Sequence, residues 1–132
     1  MEPALFSHIT LGVADVHIAR RFYSPLLEAL GLTLKFADET WAGWKHPLAE
    51  RPLFIIITPF NGEAASAGNG QMTAFLASSR SLVDECHRLA LELGAASEGE
   101  PGLRPAYHAD YYGAYFRDPD GNKLCVCCHE AA

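Results

Sequence analysis

The sequence predicts an α+β fold made of two βαβββ modules. Two segments with apolar residues at helical spacing each follow a strand-like segment and precede further strands. When one half is slid over the other, His8 falls on Met72 and the capping candidate Asp15 falls on Ser79. Few residues are identical between the halves, so the order of elements repeats rather than the residues. This pattern indicates two copies of one supersecondary unit.

Length and composition place the chain among single-domain globular proteins. It has 132 residues, of which 49% are hydrophobic and 20% are charged, and this is enough to bury a core. We expect one domain over residues 1–132, with module one at about 5–58, a linker at about 59–70 and module two at about 71–129. The linker is rich in Gly, Ala, Asn and Ser, as mobile connections are.

Charge and apolar patterning exclude two classes of partner. Ten Lys and Arg against sixteen Asp and Glu leave a net charge of −6, whereas a nucleic-acid binder concentrates positive charge. The longest strongly apolar run, Leu53–Ile57, is far shorter than a membrane span. The N-terminal residues lack the basic stretch and apolar run of a signal peptide, so we expect a cytoplasmic protein.

The four cysteines do not predict a disulfide framework. Cys125, Cys127 and Cys128 crowd into one strand-like segment, and Cys86 lies on a predicted helix. Structural zinc sites usually have two or more residues between paired cysteines, and this segment does not. We therefore interpret the thiols as small buried hydrophobic side chains.

Module one opens with a predicted strand over Leu5–Val13, in which His8 lies near the start. Asp15 is a candidate N-cap for a helix that ends near Gly31, with a kink or break expected at Pro25. Three more strands are predicted at Thr33–Ala37, Thr40–Lys45 and Leu53–Thr58.

Module two repeats this order after the linker. A strand over Gln71–Ala77 precedes a helix that either Ser78 or Ser79 caps. Residues 99–109 contain Gly and Pro and are predicted to form a loop. The last two strands are predicted at Tyr111–Arg117 and Lys123–Cys128, joined by the hairpin-turn sequence Asp118-Pro119-Asp120-Gly121.

Two stretches of the chain resemble a known family. The first is His8 on its strand, followed by the helix with Phe22-Tyr23 and the exit Leu30-Gly31-Leu32. The second is the aromatic strand and turn that reads YYGAYFRDPDGN over residues 111–122. Over residues 5–129 the chain resembles the vicinal oxygen chelate superfamily of glyoxalases, bleomycin-resistance proteins and extradiol dioxygenases. The resemblance implies βαβββ modules whose mixed sheet curls into an open cup, a divalent metal inside it, and a homodimer.

The resemblance also transfers the family's metal-ligand positions onto this chain. The first position falls on His8, the second on Met72, and the third, usually a glutamate, on Cys125. The fourth falls among Ile55–Ile57, which cannot ligate a metal. This set lacks the imidazole and carboxylate ligands that glyoxalase I and extradiol dioxygenases use. We expect no cofactor of the usual type, and the alternative is a softer His8–Cys125 site, with Met72 nearby, for Zn²⁺ or copper.

Polar and aromatic side chains gather where the last predicted loop meets the next strand. Arg104, Tyr107, His108, Tyr111 and Tyr112 lie within nine positions. Their imidazole, phenol and guanidinium groups suit an anionic or aromatic small molecule, and the alternative is a surface loop packed over the sheet edge. We predict ligand binding by Trp44, Arg104, Tyr107 and Tyr111, and catalytic roles for His8, His108 and Tyr112.

The predicted function is the binding of a small organic molecule in the cup. The resemblance implies lyase or isomerase chemistry if the chain is an enzyme. A non-catalytic sequestering protein is the alternative that the poor ligand set favours, and a metalloenzyme with the His8–Cys125 set is another. Core packing would explain Trp44 without any ligand.

Overall fold

The structure is a computed structural model that describes residues 5–132, and the chain divides after Ser66 into two compact units. The first unit contains β1 (His8–Gly12), α1 (Val16–Ala29), β2 (Thr33–Ala37), β3 (Trp41–Lys45) and β4 (Leu53–Ile57). Its four strands form an open mixed sheet in the order β1-β4-β3-β2. β1 is parallel to β4, and the other pairs are antiparallel.

The second unit has the same topology. It contains β5 (Thr73–Leu76), α2 (Arg80–Glu92), β6 (Ala96–Leu103), β7 (Tyr112–Arg117) and β8 (Lys123–Cys128). The strand order is β5-β8-β7-β6, with only β5 and β8 parallel. Two mixed four-stranded sheets, each with one helix, confirm the predicted α+β class and the two βαβββ modules. Within residues 5–132, no helix combines the length and apolar character that a membrane crossing needs.

The two helices begin at the predicted capping residues. The Asp15 carboxylate accepts a hydrogen bond from the amide of Ile18 at 3.1 Å, and the Ser79 hydroxyl accepts one from the amide of Leu82 at 3.1 Å. Each cap satisfies an amide that has no partner inside its own helix. Of the two serines considered, Ser79 is therefore the cap of α2.

Of the kink or break predicted at Pro25, the break is wrong, because α1 runs without interruption from Val16 to Ala29. Proline removes one helical hydrogen bond and crowds the preceding turn. On the two sides of Pro25, Tyr23 and Leu26 are completely buried. Burial of the apolar face of α1 against its sheet offsets the local cost, so tertiary packing overrides the intrinsic preference.

Removal of the first cap tests this account of α1. Asp15→Ala is expected to lower the free energy of unfolding by about 1 kcal/mol, because the Ile18 amide loses its acceptor. Urea denaturation followed by circular dichroism measures the change. Asp15→Asn is the matched control, since its amide oxygen still accepts, and equal losses in both variants would contradict the capping role.

The loop predicted at residues 99–109 is partly wrong, because β6 extends from Ala96 to Leu103. Its pairing with β7 is irregular, with register shifts between Ser97 and Gly99 and between Gly99 and Gly102. Such bulges interrupt the two-residue alternation from which a strand is predicted. Only the hydrogen bonds to β7 make this segment a strand.

The second sheet has one face against α2 and one face turned away from it. Phe116 pairs with Leu124, and both are fully buried, with the Phe116 ring 6.2 Å from the ring of His87 on α2. Neighbouring residues of a strand point to opposite faces. The register pairs Arg117–Lys123, Tyr115–Cys125 and Gly113–Cys127 therefore lie on the other face, which we call the distal face.

Candidate functional site

The distal face supports a layer of tyrosine rings. Tyr111 precedes β7, and its ring lies 2.9 Å from the position that a Cβ on Gly113 would occupy. Glycine at position 113 thus makes room for the ring above the sheet. The Tyr111 hydroxyl lies 3.0 Å from that of Tyr115 and 3.5 Å from Sγ of Cys125. Tyr107 packs edge-on against Tyr111, with ring centroids 5.0 Å apart.

A pocket of about 400 Å³ opens beside these rings. Its walls include Gln71 and Met72 before β5, the rings of Tyr107 and Tyr115, and the paired residues Arg117 and Lys123. The pocket lies at the end of β7 and β8 that the Asp118–Gly121 turn closes. A cavity of this size accommodates a small organic molecule.

Positive charge gathers around the Tyr115 ring. The Lys123 ammonium lies 5.8 Å from its centroid, and the Arg104 guanidinium lies 5.4 Å from it. Arg117 already pairs with Glu98, with Nε 3.1 Å from the carboxylate. Among the residues that the structure describes, neither Lys123 nor Arg104 forms a salt bridge, and of these two Lys123 lines the pocket, so its charge is available to a ligand there.

The Tyr111 and Tyr115 hydroxyls and the Cys125 thiol keep their protons at neutral pH. Burial raises the pKa of the Cys125 thiol to about 11, and it raises the pKa of Tyr111 still further above its usual value. Desolvation penalises the charged forms of both groups. The Tyr111, Tyr115 and Cys125 network therefore offers hydroxyl and thiol hydrogens rather than a general base.

Four predicted residues come together in this region. Tyr107 and Tyr111 are described above, and Arg104 stacks on Tyr115 while its guanidinium donates to the carbonyl of Glu100 at 2.7 Å. The His108 ring lies edge-on to Tyr111, with centroids 5.8 Å apart. The density of polar and aromatic residues in the sequence thus identified a real cluster.

Tyr112 lies on the opposite face of the second sheet. Its hydroxyl donates to the Asp84 carboxylate of α2 at 2.6 Å, and its ring faces the Arg80 guanidinium at 5.4 Å. The bond to Asp84 raises the pKa of the Tyr112 phenol. Tyr112 therefore helps to hold α2 against the sheet, on the face away from the pocket.

Trp44 and His8 both belong to the first unit. Trp44 is completely buried, with ring centroids 6.4 Å from Tyr23 and 6.3 Å from Phe54, so it packs in the core and is not open to a ligand. Core packing, the alternative considered for Trp44, explains its position, because the side chain faces α1. His8 is exposed at the start of β1, and its Nδ1 lies 2.8 Å from the Ser7 hydroxyl.

Sequence reasoning missed several residues of the site. Tyr115, Arg117 and Lys123 line the pocket, and His129 stacks on His108 with ring centroids 5.1 Å apart. The sequence did contain a signal for Tyr115, Arg117 and Lys123, because alternate residues on the two strands of a hairpin lie on the same face of the sheet. For His129 there was none, since its partner lies twenty-one positions away.

Comparison with known families agrees with this architecture. The model of the Glyoxalase/Bleomycin resistance protein/Dioxygenase superfamily matches residues 5–126. This chain belongs to the glyoxalase/bleomycin resistance/dioxygenase superfamily. The matched residues include both units, each of which has the βαβββ order of elements. Among curated proteins no match was found.

Solved structures of the superfamily resemble the chain over nearly its full length. A glyoxalase/bleomycin resistance protein from Albidiferax ferrireducens T118 is 36% identical, with 96% of this chain and 100% of that chain covered and a TM-score of 0.84. A putative glyoxalase from Bacillus halodurans is 20% identical over 94% of this chain and 95% of the other, with a TM-score of 0.75. Lactoylglutathione lyase from Agrobacterium tumefaciens is 20% identical over 97% and 96% respectively, with a TM-score of 0.66.

Of the three residues to which the resemblance carried the metal positions, Met72 and Cys125 do not fit a hard divalent metal. Cys125 is fully buried, and its thiol keeps its proton at neutral pH because burial raises its pKa. Met72 contributes only a thioether, which such metals bind poorly. Within residues 5–132, no three His, Cys, Asp or Glu side chains are grouped to hold an ion. The chain thus departs from the superfamily's usual ligand chemistry at these positions.

Proposed function

We propose that this superfamily member binds a small aromatic anion in the pocket of its second unit, without a metal. The observation that carries the proposal is the Lys123 ammonium, unpaired among the described residues, beside the Tyr115 ring in a pocket of about 400 Å³. The tyrosine rings supply flat apolar walls, and the ammonium supplies a partner for a carboxylate or phosphonate.

The charges around the pocket favour an anion over a neutral molecule. The whole chain carries a net charge of −6, so the grouping of Arg104, Arg117 and Lys123 opposes the overall trend. Glu98 neutralises Arg117, whereas Arg104 donates to the neutral Glu100 carbonyl, keeps its charge and is not among the residues that line the pocket. Lys123 therefore contributes most to the attraction of an anionic ligand.

Binding without turnover is the form of this function that we favour. Lyase or isomerase chemistry, which the family resemblance implied, needs a base to move a proton. Tyr115, which lines the pocket, and the neighbouring Tyr111 and Cys125 have raised pKa values and hold their protons at neutral pH. The metalloenzyme alternative with the His8–Cys125 set would need the Cys125 thiol, which is buried under Tyr111 and keeps its proton at neutral pH. A homodimer and a cytoplasmic location stay predictions of the sequence.

A pair of matched probes tests the anion preference. We expect 4-fluorobenzoate to broaden in ¹⁹F NMR on addition of the protein, and 4-fluorobenzamide, its neutral analogue, to bind more weakly. Lys123→Gln is expected to weaken 4-fluorobenzoate binding about tenfold, equivalent to ~1.4 kcal/mol, and to leave the amide unchanged. Lys35→Gln, on β2 of the first unit, is the matched control and should have no effect. No benzoate binding at millimolar concentration, or equal binding of the two probes, would overturn the proposal.

A further inference from the structure

Beyond the pocket, three side chains form a hydrogen-bonded chain near the end of β8. Sγ of Cys127 lies 3.7 Å from Nε2 of His129, and Nδ1 of His129 lies 2.8 Å from Nε2 of His108. The amide of Asp110 donates to Nδ1 of His108 at 3.1 Å. The Cys127 thiol, the His129 imidazole and the anchored His108 imidazole thus form one hydrogen-bonded chain.

The directions of these hydrogen bonds follow from the Asp110 amide. A backbone N–H can only donate, so Nδ1 of His108 accepts and the neutral ring carries its hydrogen on Nε2. That hydrogen points to Nδ1 of His129, which must accept it. Neutral His129 therefore carries its own hydrogen on Nε2, the atom facing Sγ of Cys127.

Cys127 packs in one buried cluster with Tyr111 and Cys125, and it is 5% exposed, whereas the other three thiols are 0% exposed. Cys86 is buried on α2, and Cys125 lies under Tyr111. Burial raises the pKa of each of these two thiols to about 11. Sγ of Cys128 accepts from the amide of Glu130. Among the described residues, only the thiol of Cys127 faces an imidazole nitrogen, and the exposed His129 ring connects it to solvent.

We propose that Cys127 is a nucleophilic thiol that adds to conjugated carbonyl compounds, with His129 as its hydrogen-bond donor and His108 as a positioning residue. An N–H directed at sulfur stabilises the negative charge of the attacking thiolate. Because Nε2 of His129 carries a hydrogen, the ring supports the thiolate as a donor and is not the base that removes the thiol proton. The proposal does not depend on the anion pocket, because Cys127 lies four residues beyond Lys123, roughly 13 Å along an extended strand.

The addition needs no oxidant and has no leaving group. Sγ forms a bond to the β-carbon of the conjugated carbonyl, and the π electron pair moves through the α-carbon to the carbonyl oxygen. The thiol proton leaves to water, and the resulting enolate takes up a proton from water at the α-carbon. The product is a thioether in which S–H has added across the C=C bond.

Acrylamide, a small conjugated amide, is the probe for this reactivity. The folded wild-type protein is treated with limiting acrylamide, and the four cysteines are followed separately by peptide mass mapping. We expect Cys127 to react at least tenfold faster than Cys86, Cys125 and Cys128. Equal rates at Cys127 and Cys86 would overturn the proposal without the need for any variant.

Histidine variants separate the two imidazole roles from a structural effect. His129→Ala and His129→Leu, which remove the N–H, are each expected to slow the reaction of Cys127 about tenfold, whereas His17→Gln, on the exposed side of α1, leaves it unchanged. His108→Gln retains an N–H for His129 and should keep more of the rate than His108→Ala. The rate at Cys86 reports unfolding, so a slower Cys127 with unchanged Cys86 supports the proposal. An unchanged Cys127 rate in both His129 variants would contradict it.

Discussion

Trp44→Ala is expected to lower the free energy of unfolding by about 3–5 kcal/mol, the largest effect that we predict for a single substitution. The indole is completely buried and packs against Tyr23 of α1 and Phe54 of β4. Its Nε1 has no hydrogen-bond partner among the described residues, so the loss comes from the cavity and the lost apolar contacts. Urea denaturation measures it, with the remaining tryptophan as fluorescent reporter.

Trp41→Ala is the matched control on the same strand. Trp41 is 40% exposed and contacts Phe36, with ring centroids 4.5 Å apart. Because much of its surface already meets water, we expect its removal to cost about 1 kcal/mol. Equal losses for the two tryptophans would show that Trp44 is not the core residue that the structure describes.

Asp118→Ala is expected to destabilise the chain by about 2–4 kcal/mol, since buried amides that lose a charged acceptor cost about 1–3 kcal/mol each. One carboxylate oxygen of Asp118 accepts from the amides of Asp120 at 2.9 Å and Asn122 at 2.8 Å. The other accepts from the Asn122 side chain at 3.0 Å. The residue is only 4% exposed, so water cannot replace these bonds.

The same substitution should also weaken ligand binding, because the turn sets the positions of Arg117 and Lys123 on either side of it. Urea denaturation gives the stability change, and ¹⁹F NMR with 4-fluorobenzoate gives the affinity change. Asp118→Asn retains an oxygen acceptor and should lose about half as much stability. A stability change below about 0.5 kcal/mol in Asp118→Ala would place it in the range of ordinary surface substitutions and refute the role of the turn.

Much of the second unit could be predicted from short-range patterns. Ser79 and the Asp118–Gly121 turn act on residues within four positions, so their effects are visible in the sequence. The helix through Pro25 and the strand β6 could not be predicted in this way. Their stability comes from burial against a sheet and from pairing with β7, which short segments do not reveal.

The arrangement of the candidate site shows the same division. The cluster of Arg104, Tyr107, His108 and Tyr111 was visible as composition, and the hairpin could have indicated Lys123 through the alternation of strand residues. The contact between His108 and His129 joins residues far apart in the chain, and no local pattern announces it.

Local sequence therefore determined the two modules, their caps, their turns and the residue types near the site. Only the tertiary structure decided which of Tyr111 and Tyr112 lies on the distal face and which of Trp41 and Trp44 is buried. The reason is that side chains alternate across a strand, so a shift of one residue in register exchanges the two faces. Register is set by hydrogen bonds between strands, and those bonds join residues that the sequence keeps apart.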